Sequence, residues 1–214
     1  VFTMSGMIQL GLHQASDKFT VPDHITVNGQ TYSDATTHGD EHWTLAGILE
    51  QSSNVGMIIA GEKMSNEQRY DFIRKFGVGQ DNGLGLPGES DGLLYSADQW
   101  DLRTQNTVLF GQAYTTDALQ LTNAVAVIAN KGVKKPQRII KTISDAEGHS
   151  EEQKPEGEVT RVIDEQVASQ VMNAMESVSD HYSQFIKVDG YRVAAKIRYG
   201  GSRWCRWQTV VNYQ

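Results

Sequence analysis

Residues 45–56, Leu-Ala-Gly-Ile-Leu-Glu-Gln-Ser-Ser-Asn-Val-Gly, decide how this chain is organised. Leu45 and Leu49 recur at helical spacing, and a second apolar segment begins at Met57, so the pattern predicts two helices joined by Ser52-Ser53-Asn54. A Ser-x-Asn triplet at such a junction can present a hydroxyl and an amide side chain to a cleft. Taken alone, the three residues are more simply interpreted as a polar helix cap. The surrounding sequence decides between these interpretations.

Seven short motifs share one order and spacing along the chain. They are Trp43-Thr44-Leu45, Gln51-Ser52-Ser53-Asn54-Val55-Gly56, Phe76-Gly77-Val78-Gly79-Gln80, Gly85-Leu86-Pro87-Gly88-Glu89-Ser90, Phe110-Gly111-Gln112, Ile128-Ala129-Asn130-Lys131-Gly132 and Gly190-Tyr191-Arg192-Val193-Ala194-Ala195-Lys196. Together they resemble the transpeptidase domain of class B, division-type penicillin-binding proteins, particularly those of actinobacteria. The resemblance covers about the first 178 residues and resumes over 188–196.

The resemblance implies an α/β (α+β) fold of the penicillin-binding protein and serine β-lactamase type. In this fold a helical cluster packs on an antiparallel sheet. Helical periodicity over 45–59 and 119–128 predicts the cluster, and strand-like alternation over 188–196 and 209–213 predicts two strands of the sheet,. We expect residues 1–214 to form one partial transpeptidase domain.

Composition limits the function classes. The chain has 214 residues, 39% of them hydrophobic, which suits one globular core. A net charge of -7 argues against nucleic-acid binding, which needs a basic face. The single cysteine, Cys205, excludes an intramolecular disulfide, and no apolar run approaches the ~20 residues of a membrane span. Val1 to Met4 opens inside an apolar pattern, so we expect an N-terminally truncated fragment.

Local signals predict further elements. Residues 2–12 form an apolar helical pattern, and Asn28-Gly29 predicts the turn of a hairpin. Ser65-Asn66-Glu67-Gln68 predicts a capping box, and Tyr114-Thr115-Thr116-Asp117 predicts the capped start of an apolar helix. Asp164 opens a helix through Val178. The acidic stretch 150–158 is expected to be a solvated loop.

Two motifs suggest other chemistry but lack the required context. His38-Gly39-Asp40-Glu41-His42 has the letters of a zinc-protease signature, which requires a helix, whereas Gly39 favours a loop. Residues 83–88 spell Gly-x-Gly-x-x-Gly, but they follow a helix and include Pro87, unlike a dinucleotide fingerprint. No cofactor and no metal is therefore expected.

The resemblance implies acyl transfer through a serine ester, carried by three motifs. The Ser-x-x-Lys nucleophile motif would end immediately before Val1, outside this chain, so the fragment is expected to be inactive as given. In the second motif Ser52 would relay a proton to the leaving amine, and Asn54 would bind the substrate backbone. Ser53 is the variable middle residue. Lys196, from the third motif, would supply positive potential near the substrate carboxylate.

The implied partners are the D-Ala-D-Ala stem peptide of peptidoglycan, β-lactams and division-machinery proteins. The implied location is the extracytoplasmic face of the cell membrane, held by an N-terminal anchor outside this chain. The implied process is peptidoglycan cross-linking in cell-wall synthesis and cell division.

Segments 179–187 and 197–207 depart from the family pattern. Where the family has Lys-Thr-Gly, this chain has Lys196-Ile197-Arg198, which removes a hydroxyl donor and a glycine. The Arg, Trp and Cys content that follows suggests a frame-shifted reading of the family's loop. Two alternatives stay open: a non-catalytic interaction module that kept the fold, and a β-lactamase, for which no deacylating base is identified.

Overall fold

A computed structural model describes residues 1–85, 87–155, 157–186, 188–198 and 207–213, with the backbone alone for 198 and 207–213. The helices are α1 Phe2–Gln9, α2 Leu45–Gln51, α3 Asn54–Ala60, α4 Asn66–Lys75, α5 Leu102–Thr107, α6 Ala118–Ala129, α7 Glu165–His181 and α8 Ser183–Ile186. Short 3-10 turns lie at Ala97–Gln99 and Val108–Phe110.

The strands pair two by two, and every pair is antiparallel. They are β1 Lys18–Val21 with β4 Glu41–Thr44, β2 His24–Val27 with β3 Gln30–Ser33, β5 Val133–Lys134 with β8 Thr160–Arg161, β6 Thr142–Ser144 with β7 Ser150–Glu152, and β9 Arg192–Arg198 with β10 Trp207–Tyr213. This mixture of helices and antiparallel strands is the α/β fold that the sequence predicts.

Helix α7 organises the core. Its apolar stripe, Val167, Val171, Met175 and Val178, is buried, as the spacings of four, four and three residues predict. Both α2 and β9 pack against this helix. The end of α2 therefore lies beside β9, although about 145 residues separate them in sequence.

Predicted local signals are largely confirmed. Asn28 and Gly29 form the turn between β2 and β3 with positive φ. Ser65 caps α4 through a reciprocal capping box with Gln68, and Asp117 does the same for α6 with Gln120. These caps satisfy backbone N–H groups that a helix leaves free at its first turn.

Two boundaries expected from the sequence are wrong: those of the loop over 150–158 and the start of the strand that leads to Lys196. The acidic stretch 150–158 is not loop throughout, because Ser150–Glu152 forms β7. The hairpin closes because the Asp145 carboxylate accepts hydrogen bonds from the backbone N–H groups of Glu147 and His149. Strand β9 begins at Arg192, later than expected, because the backbone turns at Gly190, where φ is 81°.

Segment 197–207 does not depart from the sheet at its first residue. Strand β9 continues through Ile197 and Arg198, and Ile197 is buried. β10 starts at Trp207, with its partner Arg198 across the ladder. The prediction for the Arg198 side chain, and the prediction for residues 199–206, lie outside the described residues.

The zinc-signature alternative fails on backbone conformation. Residues 38–40 are loop, and Glu41 and His42 lie in strand β4 rather than on a helix. The two imidazoles therefore do not share the one-turn helical spacing that the signature requires.

Candidate active site

The junction between α2 and α3 consists of a left-handed C-cap residue, Ser52, followed by an N-cap residue, Ser53. Ser52 ends α2 with φ of 57° and ψ of 35°. Ser53 then caps α3, its hydroxyl oxygen accepting a hydrogen bond from the Gly56 N–H at 2.8 Å. The first helix therefore ends at Ser52, and Asn54 is the first residue of the next helix. The predicted helix–helix junction is therefore confirmed.

The last residue of strand β3, Ser33, and the residue that follows it, Asp34, bind this junction through hydrogen bonds. The Asp34 carboxylate accepts hydrogen bonds from the Ser53 hydroxyl at 2.5 Å and from the Val55 N–H at 3.0 Å. The preceding carbonyl, that of Ser33, accepts one from the Asn54 Nδ2 at 3.1 Å. The amide oxygen of Asn54 is thereby turned away from the Ser33 carbonyl.

Strand β9 closes the other side of the junction. The Ser52 hydroxyl donates to the Ile197 carbonyl at 3.2 Å, and the Lys196 Nζ donates to the Leu49 carbonyl at the end of α2 at 3.0 Å. The two motifs are thus tied to each other by reciprocal side chain to backbone hydrogen bonds. Burial lowers the pKa of Lys196 from 10.5 to about 7, because a desolvated ammonium is disfavoured relative to the neutral amine.

A cavity of about 400 Å³ opens at this meeting point, and Ser52, Asn54 and Lys196 all line it. Val1, Phe110 and Tyr114 line it too. The three predicted site residues therefore come together, as the order of the motifs implies. A hydroxyl, an amide and an amine around one partly apolar cleft can bind a carboxylate and a peptide backbone.

Sequence reasoning missed two contributors to the site. Asp34 gave no motif signal, since a single aspartate after a short strand is common. The wall formed by Tyr114 and Thr116 was interpreted only as a helix start. Only the paired observation of a hairpin end followed by a Ser-x-Asn triplet could have pointed to Asp34.

The structure offers no site for a metal within its described side chains: no group of three His, Cys, Asp or Glu residues is placed to hold one. Within the same part of the chain, no helix is long and apolar enough to cross a membrane.

The mixed helix and strand fold, and the cleft at which the Ser52-Ser53-Asn54 junction meets Lys196, agree with the transpeptidase-type domain that the sequence resembles. A family model for the penicillin binding protein transpeptidase domain matches residues 1–196. The chain belongs to this family, and it is similar in type to the division-type, class B members.

Individual relatives agree. The chain is 36% identical to the penicillin-binding protein PbpB of Mycobacterium tuberculosis over 92% of its own length, and 31% identical to the peptidoglycan D,D-transpeptidase FtsI of Escherichia coli over 83%. It spans only 30% and 28% of these two proteins, respectively.

Solved structures show the same fold. A peptidoglycan synthetase from Bifidobacterium adolescentis superposes with a TM-score of 0.88 at 66% identity, covering 96% of this chain and 38% of that protein. Penicillin binding protein 3 of Mycobacterium tuberculosis, complexed with aztreonam, superposes with a TM-score of 0.83 at 33% identity, covering 96% and 48%. The predicted fold class and family are confirmed.

Proposed function

We propose that this chain is the larger part of a D,D-transpeptidase domain that cross-links peptidoglycan during cell division. One observation carries the proposal: Ser52, Asn54 and Lys196 line a single cleft, although Lys196 lies more than 140 residues beyond the other two. The spatial order matches the second and third motifs of the family. Residues 1–214 would form one domain, with 179–187 and 197–207 as its variable segments.

In this proposal each residue acts on a different part of the substrate. The Ser52 hydroxyl passes a proton to the leaving amine, and the Asn54 amide holds the peptide backbone of a D-Ala-D-Ala stem peptide. Lys196 contributes positive potential beside the substrate carboxylate when it is protonated. β-Lactams would occupy the same cleft, which is supported by the aztreonam complex of the mycobacterial relative.

The nucleophile is proposed to come from residues that precede Val1. No Ser-x-x-Lys occurs within the 214 residues, and Val1 itself lines the cleft. A Ser-x-x-Lys segment joined directly to Val1 would place its lysine at the cleft wall. By the same family likeness, the whole protein would face the outside of the cell membrane, held by an anchor outside this chain, and would meet division-machinery partners there.

Labelling with a fluorescent penicillin tests the proposal. We expect no covalent labelling of the 214-residue chain, because hydroxyl, amide and amine groups cannot replace the bond-forming nucleophile. A chain extended by Ser-x-x-Lys, with Ile197→Thr and Arg198→Gly, should label stoichiometrically, and Ser52→Ala in that background should slow labelling about 100-fold.

The matched control changes only the added serine to alanine and should abolish labelling. Stoichiometric labelling of the 214-residue chain would refute the assignment of the nucleophile. A folded extended chain that never labels would instead favour a non-catalytic interaction module, and rapid release of the label would indicate a β-lactamase.

A further inference from the structure

A buried carboxylate that the proposed chemistry does not use lies beneath the Ser52-Ser53-Asn54 junction. The Asp34 side chain is only 7% exposed. Burying a carboxylate costs free energy unless hydrogen bonds replace those lost from water. Here three donors do so: the Ser53 hydroxyl, the Val55 N–H and His38 Nε2, the last at 3.1 Å.

Each of these bonds reaches a different part of the junction. Ser53 donates to Asp34 while accepting from the Gly56 N–H, so its hydroxyl orientation is fixed from both sides. The Val55 N–H is one of the groups that a helix start leaves free, and Asp34 takes it up. These bonds restrict the backbone that carries the neighbouring side chains, Ser52 and Asn54. The Asn54 side chain is also held by its hydrogen bond to the Ser33 carbonyl.

We propose that Asp34 is a positioning residue for the Ser-Ser-Asn motif: it sets where the Ser52 hydroxyl and the Asn54 amide lie in the cleft. Protonation of His38 changes the strength of this positioning. The inference rests on the proposed function insofar as it gives this positioning a catalytic purpose. The geometric part stands on the hydrogen bonds alone.

His38 is built to be protonated beside Asp34. Its Nδ1 faces the Gly39 carbonyl at 2.7 Å and its Nε2 faces Asp34, so both ring nitrogens meet acceptors, which only imidazolium satisfies. Burial lowers the pKa of His38, but the Gly39 carbonyl and the Asp34 carboxylate, with Asp23 at longer range, outweigh it and raise the pKa above 6.5. The uncharged Trp43 ring packs on the imidazole at 5.0 Å.

Nuclear magnetic resonance on the 214-residue chain tests the positioning without any catalysis. We expect the Asn54 side-chain amide and the Val55 amide to shift with pH along the His38 titration. Asp34→Asn should remove that dependence and lower the pKa of His38, because the carboxylate that favours the imidazolium is lost. Ser53→Ala should displace the Ser52 and Asn54 signals, and Ser53→Thr, which keeps the hydroxyl, should restore them.

The chain offers a matched control in Asp145→Asn. Asp145 and His149 form another i,i+4 carboxylate–imidazole pair, but an exposed one in the β6–β7 hairpin. This change should leave the Asn54 and Val55 signals unaltered. If Asp34→Asn does not fold, His38→Gln and the two variants Ser53→Ala and Ser53→Thr still test the positioning. Unchanged Asn54 signals in Ser53→Ala would overturn the proposal.

Penicillin acylation of the extended, loop-restored chain tests the catalytic purpose. We expect Asp34→Asn to slow the acylation step about tenfold, with a smaller effect on initial binding, as when a charge-assisted hydrogen bond to a positioning group is lost. An unchanged acylation rate together with a lower melting temperature would make Asp34 merely structural and overturn the inference. If the parent never acylates, the proposed function fails, while the resonance experiment still decides the positioning.

Discussion

The two sides of the cleft differ in how their residues are held. On the junction side, Ser53 and Asn54 are fixed by near neighbours in the fold, namely Asp34 and Ser33. On the strand side, Lys196 is fixed by one bond to the Leu49 carbonyl, and Ile197 offers only its backbone. The junction is therefore held by several side-chain hydrogen bonds, whereas the Lys196 side chain relies on one. Under the proposed function, the strand side also lacks the threonine hydroxyl and the glycine of the family motif.

Restoring the strand side should have the largest effect. In the extended chain, Ile197→Thr with Arg198→Gly should raise the rate of β-lactam acylation about 100-fold, because a hydroxyl donor returns to the cleft and the edge strand regains a residue without a side chain. Stopped-flow or gel-based acylation rates measure it.

The single change Ile197→Val, which keeps an apolar side chain, is the control and should leave the rate unaltered. Equal rates for the double variant and the parent would mean that Lys196-Ile197-Arg198 is a tolerated variant of the motif. Sequencing that confirms a continuous reading frame through these codons would remove the frame-shift interpretation.

The next effect concerns the cost of burying Lys196. Its pKa is about 7 in the fold and 10.5 in the unfolded chain, so between these pH values the unfolded chain binds more protons and stability rises with pH. Lys196→Met should therefore stabilise the fold most below pH 7, by about 2 kcal/mol after allowing for partial exposure, and this advantage should shrink towards pH 10.

Urea unfolding of both chains across pH 6–10 measures this difference. The His38 contribution has the opposite sign, because its raised pKa gives stability that is lost as pH rises,, but both chains share it and it cancels. A Lys196→Met advantage that is independent of pH would contradict the lowered pKa.

The smallest effect should come from the packing of the junction side. A Cβ added at Gly56 would stand 2.8 Å from two side-chain carbons of the buried Ile48 and 3.0 Å from the Ser53 hydroxyl. We expect Gly56→Ala to lower the free energy of unfolding by about 1–2 kcal/mol, since a packed core tolerates extra volume poorly.

Gly47→Ala provides the matched control in α2. There the nearest atom to an added Cβ is 3.3 Å away, and the gain in helix propensity, about 1 kcal/mol, offsets the mild crowding. Thermal or urea unfolding should find this variant close to the parent. Equal losses for the two variants would show that the junction is no more tightly packed than an ordinary helix.

Sequence patterns predict the parts of this fold that local chemistry decides. The junction at Ser52, the turn at Asn28-Gly29 and the caps at Ser65 and Asp117 each follow from neighbouring residues alone. The boundary of β9 and the existence of β7 could not be predicted, because strand pairing depends on a partner elsewhere in the chain. The role of Asp34 was hidden for the same reason: its partners Ser53 and Val55 lie about twenty residues away.

The left-handed backbone at Ser52 has a consequence for how this position can change in evolution. Glycine adopts this conformation without the steric cost that a residue with a Cβ incurs, so selection for stability alone would favour glycine at position 52. A glycine would remove the hydroxyl that reaches strand β9 and the cleft. Under the proposed role of Ser52, stability favours glycine at this position while proton transfer requires serine, so a change to glycine there would mark a copy released from selection for catalysis.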